Sequence, residues 1–83
     1  MASDPEDLVI PDLLRAVRRA RGLTQENLAQ ELGVTFSTVN GWENGRHQPI
    51  PLLMRSIVKL ATASGVEVDP RVLQARRRRG RQP

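Results

Sequence analysis

The sequence predicts an all-α fold, and three observations lead to that prediction. Apolar residues recur at spacings of three and four, threonine or proline stands where helices would begin, and glycine stands where they would end. No stretch shows a competing strand pattern. The 83 residues, of which 39% are hydrophobic, can form one small domain with a modest core. We therefore expect one helical domain.

The first helix is expected to begin at Pro11, because proline is favoured at the first helical position. Gly22 should end it. In this interpretation residues 1–10 are a flexible arm, in which Asp4-Pro5 is able to open a short turn of helix. The inward stripe is Leu13, Leu14 and Val17. The other faces and the C-terminal end carry Arg15, Arg18, Arg19 and Arg21.

Two short helices follow, joined by a tight glycine turn. Thr24 is the expected N-cap of a helix over residues 25–32, and Thr35 that of a helix over residues 36–43. Gly33 between them can take the positive φ that a sharp turn needs. Two helices so joined have the layout of a helix-turn-helix, which places one helix end in the DNA major groove. Their inward residues are expected to be Leu28, Ala29, Leu32, Val34, Val39 and Trp42.

A proline-rich loop at residues 47–51 precedes the fourth helix, which is expected over residues 51–63. Asp69-Pro70 repeats a helix-start signal and predicts a short last helix to about Arg77. The domain should therefore span residues 11–73. The inward stripe of the fourth helix is expected to be Leu52, Leu53, Ile57, Leu60 and Ala61.

The composition argues against several classes of protein. There is no cysteine, so disulfides and thiolate metal sites are excluded, and a reducing cytoplasm is the expected location. No apolar run approaches the roughly 20 residues of a membrane span. The sequence contains one histidine and no metal-ligand cluster, nucleophile–base pair or phosphate-binding loop. We expect neither an enzyme nor a bound cofactor or metal.

The net charge of +4 hides a basic tail. Residues 71–83 hold six arginines and no acid, whereas residues 1–70 hold seven basic and nine acidic residues, a net of −2. A basic tail beside an acidic body suggests an anionic partner. Three uses are open: non-specific phosphate binding, insertion into a narrow minor groove, or binding of an acidic protein. A merely solubilising tail is the alternative. The tail, residues 74–83, carries Arg76, Arg77, Arg78, Arg79 and Arg81.

Several short motifs carry a resemblance to a known family. They are Gly22-Leu23-Thr24-Gln25, Leu28-Ala29, Leu32-Gly33-Val34, Ser37-Thr38-Val39 and Trp42-Glu43-Asn44-Gly45. The chain resembles phage-repressor/Cro-type helix-turn-helix proteins, also called the xenobiotic-response-element type, over roughly residues 11–63. The resemblance implies a five-helix repressor-like domain with the third helix as reader. It also implies that Gln25 meets a DNA phosphate and that Arg18 and Glu43 form a structural ion pair.

The exposed side of the third helix is the predicted reading surface. The base-contacting candidates are Phe36, Ser37, Thr38, Asn40 and Gly41. Asparagine can bond two ways to adenine, and phenylalanine can contact a thymine methyl. Phe36 has the alternative of packing on a neighbour. Gly41 either permits close approach to DNA or weakens direct readout, and no lysine or arginine lies between Thr35 and Asn44. The phosphate-contacting candidates are Gln25, Thr35, Asn44, Arg46 and His47.

Two functions compete. The first is a sequence-specific double-stranded DNA-binding transcription regulator, a repressor that binds a palindromic site as a homodimer. The alternative is an antitoxin-like or other protein-interaction module with mainly non-specific DNA binding, which would have a protein partner. No membrane partner is expected. The residues Val66, Val68, Val72 and Leu73 form the expected dimer surface, unless they close the core of the monomer instead.

Overall fold

The computed structural model describes residues 5–72, with side chains from residue 9 onward. Within this range the chain is all-helical, without strands, which confirms the predicted fold class. A fifth helical segment begins at Pro70. The arginine tail and Leu73 lie outside the described residues. The four complete helices are α1 (Pro5–Arg21), α2 (Gln25–Leu32), α3 (Phe36–Glu43) and α4 (Pro51–Ala63).

The start of α1 differs from its predicted position. The helix begins at Pro5 and not at Pro11, so Pro11 lies inside it. Proline costs one backbone hydrogen bond at that position, yet the helix continues through it. Burial offers a reason, because Ile10 is only 3% exposed and belongs to the core, and Val9 packs against that core. The predicted start is wrong because the proline signal is local, whereas the burial of Ile10 and Val9 depends on the tertiary fold.

The turn between α2 and α3 is built from local hydrogen bonds. Thr24 accepts from the backbone N–H of Asn27, and the Asn27 side chain accepts from the backbone N–H of Thr24, so a capping box opens α2. Gly33 has a φ of +72° and ends the helix, and the Val34 N–H donates to the carbonyl of Ala29. Thr35 caps α3 by accepting from the Thr38 N–H. The caps therefore fix both helices locally.

The core lies where α1, α2, α3 and α4 meet. Leu14, Leu28 and Val39 are completely buried at its centre. One expected inward residue of α4 is exposed: Leu52 is 65% exposed, and Met54 is buried in its place. The prediction for Leu52 was wrong because the inward face of α4 begins later in its first turn. The buried apolar residues are Ile10, Leu13, Leu14, Val17, Leu28, Ala29, Val39, Trp42, Met54, Ile57, Ala61 and Val72.

Two features are absent from residues 5–72. No helix there combines the length and apolar character that a membrane crossing requires. No group of three or more histidine, aspartate or glutamate side chains lies together as a metal site would require within the same range.

Candidate nucleic-acid interface

Glu43, the last residue of α3, is a buried carboxylate held by Arg18 of α1. Its exposed fraction is 2%. The Arg18 Nε donates to Glu43 Oε2 at 2.8 Å, and Arg18 Nη2 donates to Oε1 at 3.0 Å. The hydrogen bond to Glu43, with the carboxylate charge, raises the pKa of the Arg18 guanidinium. This two-pronged pair fixes the end of α3 against α1.

Arg15, one turn earlier on α1, also holds the end of α3. Its Nη2 donates to the backbone carbonyl of Glu43 at 2.8 Å, and its Nε lies 3.8 Å from Glu43 Oε1. The last carbonyls of a helix lack partners within the helix, so a cation there satisfies one of them. Sequence reasoning missed this role. The signal available was the spacing of three between Arg15 and Arg18, which puts both on one helix face.

Gln25, the first residue of α2, connects the buried pair to the outer side of α3. Its Nε2 donates to Glu43 Oε1 at 3.1 Å, and its Oε1 accepts from Asn40 Nδ2 at 3.1 Å. The predicted phosphate contact at Gln25 therefore concerns a half-buried side chain whose amide is already engaged at both ends. We call the series Arg18, Glu43, Gln25, Asn40 and Arg46 the polar chain.

Asn40 is the branching residue of the polar chain. Its Oδ1 accepts from Asn44 Nδ2 at 3.0 Å and from Arg46 Nη2 at 2.6 Å, and its Nδ2 donates to Gln25. A carbonyl oxygen has two lone pairs, and both are in use. Two-way bonding to adenine needs a free acceptor together with a free donor. The predicted contact between Asn40 and a base would therefore require these hydrogen bonds to be exchanged.

The exposed side of α3 joins the following loop in one concave surface. Phe36 is 49% exposed and Ser37 is exposed, as the predicted reading role requires. Thr38 is half-buried, and its hydroxyl lies 2.9 Å from that of Thr35. The residues that line the surface are Phe36, Ser37, Asn40, Gly41, Arg46 and His47.

Gly41, one of the predicted base contacts, is buried. The His47 imidazole lies over it, and a Cβ at position 41 would clash with that ring. Gly41 thus provides room for a loop side chain. The two interpretations of this glycine from the sequence, close approach to DNA or weaker readout, do not include room for His47.

The remaining phosphate candidates lie around the same surface. Asn44, Arg46 and His47 are exposed and follow α3 directly. Thr35 is exposed too, but its hydroxyl serves as the N-cap of α3. The five tail arginines predicted to add affinity lie outside the described residues.

Of the four residues of the expected dimer surface, one lies in the monomer core and two pack against that core. Val72 is 1% exposed and belongs to the core, and Val66 and Val68 are half-buried and pack against it. The stated alternative, that these residues close the monomer, fits the three valines. Leu73, the fourth member, lies outside the described residues.

Comparisons with known proteins agree with this architecture. The helix-turn-helix family matches residues 14–70. A protein of Methanothermobacter thermautotrophicus, named an uncharacterized HTH-type transcriptional regulator, is 38% identical over 55 residues, which cover 66% of this chain and 80% of that protein. No solved structure gives a significant match. The match spans the two capped helices, the turn between them and the packing helices on either side, and the chain belongs to the Cro/C1-type helix-turn-helix family.

Proposed function

We propose that this protein is a sequence-specific double-stranded DNA-binding transcription regulator that acts as a repressor. Its family and the name of the Methanothermobacter relative support DNA-binding transcription regulation. The observation that carries sequence specificity is the free first turn of α3, where Phe36 and Ser37 are exposed. The N-terminal part of a reader helix is the part that meets base edges.

The chemistry of this surface supports a modest direct readout. Phe36 offers an apolar ring to a thymine methyl, and Ser37 offers a hydroxyl that accepts or donates. The backbone N–H groups at the start of α2 are suited to a phosphate. Asn44 and His47 extend the phosphate-binding edge beyond the end of α3. Thr35 and Thr38 contribute little to DNA binding, because their hydroxyls are hydrogen-bonded to each other.

The tail is proposed to supply sequence-independent affinity. Residues 1–70 carry a net charge of −2, whereas residues 71–83 carry +6. Arginines that neutralise phosphates release counterions, and this release makes binding strongly dependent on salt. The tail therefore compensates for the lack of basic residues in α3.

Selection from random duplex DNA tests the proposed function. The full chain is expected to enrich a reproducible motif, and an inverted repeat with half-sites about 34 Å apart would indicate a homodimer on a palindromic site. Sedimentation of the complex gives the number of chains per duplex. If only salt-sensitive binding without a motif is found, the protein-interaction alternative is favoured and sequence-specific regulation is rejected. A reporter gene behind the selected site then distinguishes repression from activation.

The tail is tested by replacing its five arginines at 76–79 and 81 with glutamine in the full chain. If all five meet phosphates, the slope of log affinity against log salt should fall by about 4.5. The selected motif should stay the same. An unchanged salt slope would show that the tail does not meet DNA phosphates.

A further inference from the structure

The arginine of the concave surface comes from the loop after α3. Arg46 lies on this surface with Phe36 and Ser37, whereas α3 has no lysine or arginine of its own. Its backbone is fixed to the end of α3, because the Arg46 N–H donates to the Gly41 carbonyl at 2.9 Å. The preceding residue, Gly45, donates to the Trp42 carbonyl at 3.2 Å. Arg46 therefore has a defined position relative to the reader helix.

The side chain of Arg46 is also held in place. One nitrogen, Nη2, donates to Asn40 Oδ1 at 2.6 Å. A guanidinium carries five N–H donors in a planar fork, so this bond leaves donors for a ligand. Asn40 is itself held by Gln25, which is bonded to the buried Glu43. Arg46 is thus the exposed end of a chain that begins in the core.

Asn40 and Gly41 are poorly placed to read bases themselves. Both lone pairs of Asn40 Oδ1 accept protein hydrogen bonds, and Gly41 is covered by His47. The loop thus occupies the middle of the surface that α3 would otherwise present. In this region, the groups that can still contact a base are the remaining donors of Arg46 and the side chains of the first turn of α3.

We propose that Arg46 reads a guanine in the major groove and that Asn40 is a positioning residue that orients it. Arginine bonds to guanine O6 and N7 through two parallel N–H groups, which is the commonest specific contact to a base. Asn40 limits the rotamers of the guanidinium before DNA arrives, which reduces the entropy lost on binding. This inference rests on the proposed function of DNA binding, and it assigns Arg46 to a base instead of a phosphate.

Selection from random duplex DNA with full-length variants tests the role of Arg46. In the motif of the unchanged chain, one guanine position per half-site should lose about 5- to 150-fold of its preference in Arg46→Ala, while the other positions keep theirs. Arg55→Ala, which removes an exposed arginine from α4, is the matched control and should leave the motif unchanged.

Two results would count against the inference in different ways. If Arg46→Ala weakens binding to all sequences alike and the motif is unchanged, Arg46 meets a phosphate and the inference is wrong. If the unchanged chain yields no motif, the proposed function fails first, and the inference fails with it.

The positioning role of Asn40 is tested by two substitutions at that residue. Aspartate still accepts from the Arg46 guanidinium but cannot donate to adenine N7, so Asn40→Asp should retain the guanine preference despite a general loss of affinity. Asn40→Ala should weaken that preference severalfold. Thermal unfolding confirms that both variants are folded at the assay temperature. If Asn40→Asp instead loses an adenine preference and Asn40→Ala leaves guanine unaffected, Asn40 is the reader and the assignment is overturned.

Discussion

Each end of the polar chain is an arginine that donates hydrogen bonds, but the two arginines lie in very different surroundings. At the inner end, Arg18 binds the carboxylate of Glu43, which is 2% exposed. At the outer end, Arg46 binds Asn40 at the protein surface. Water can replace a lost partner at the outer end but not at the inner one. The inner end should therefore govern stability, whereas the outer end is free to exchange its hydrogen bonds for those of a ligand.

The largest expected effect comes from breaking the inner end. Arg18→Met leaves the Glu43 carboxylate buried, and its remaining partners among residues 5–72 are Gln25 and the more distant Arg15. We expect the free energy of unfolding to fall by about 3–5 kcal/mol, as is usual when one member of a buried pair is removed. Urea unfolding followed by circular dichroism measures it.

Two controls sharpen this contrast. In Arg18→Met combined with Glu43→Leu, no charge is stranded, so a large part of the loss should be recovered. Arg46→Ala, at the outer end, should change the free energy of unfolding by less than about 0.5 kcal/mol. If Arg18→Met and Arg46→Ala lower the free energy of unfolding by the same amount, the inner end does not govern stability as proposed.

An intermediate effect is expected at the link between the ends. Gln25→Ala removes the hydrogen bond to the Glu43 carboxylate and the bond from Asn40. The free energy of unfolding should fall by about 1.5 kcal/mol, because a bond to a charged group is lost in a half-buried place. Gln30→Ala, an exposed glutamine on the same helix, is the control and should have little effect. If both substitutions lower the free energy of unfolding by the same amount, the hydrogen bonds of Gln25 do not stabilise the fold.

A smaller effect of opposite sign is expected at Gly41. Alanine is favoured over glycine inside a helix by roughly 1 kcal/mol, and the nearest atoms that a Cβ at position 41 would meet belong to the exposed His47 ring. If the ring swings into solvent, Gly41→Ala should raise the free energy of unfolding by up to about 1 kcal/mol. Chemical denaturation measures the change. A marked loss of stability would show that the packing of the His47 ring on Gly41 stabilises the fold.

The smallest expected effect concerns Asp69, which is not a member of the polar chain. Its carboxylate accepts from the Arg71 guanidinium and from the Arg71 backbone N–H, and these bonds lower the pKa of Asp69 to about 2. The folded state binds the proton less readily than the unfolded state. The stabilisation is therefore complete above the ordinary pKa near 4 and disappears as the pH falls towards 2.

Asp69→Asn isolates this contribution. Asparagine keeps an acceptor for the Arg71 N–H but has no charge to pair with the guanidinium. The stability difference between the unchanged chain and the variant should be small at pH 6 and should shrink further from pH 4 to pH 2. A difference that stays constant over this range would mean that the pair does not stabilise the fold.

Local signals account for the parts of the fold that sequence predicted well. The limits of α2, α3 and α4 follow from Thr24, Thr35, Pro51 and the glycine turn at Gly33, because caps and breakers act within a few residues. The start of α1 was not predicted because the burial of Ile10 in the core depends on the tertiary fold, which a local proline signal does not report. Leu52 was misplaced for a similar reason, since periodicity does not fix the rotation of a helix near its ends.

The sequence allowed the location of the candidate site to be predicted, but not the side-chain contacts within it. Phe36 and Ser37 were expected to be exposed, and they are. The pairing of Gln25 with Asn40 spans 15 residues, and the seating of His47 on Gly41 depends on the path of the loop. Neither leaves a periodic or capping signal in the sequence.

The seating of His47 on Gly41 also has a consequence for how this surface can change over generations. Any side chain at position 41 must displace the His47 ring. The effects of substitutions at 41 and 47 on stability should therefore not be additive. The effect of a substitution at 41 on stability should then depend on the residue already present at 47. New binding preferences in this protein should thus arise through paired replacements, with the order of the two steps decided by which one leaves the intermediate functional.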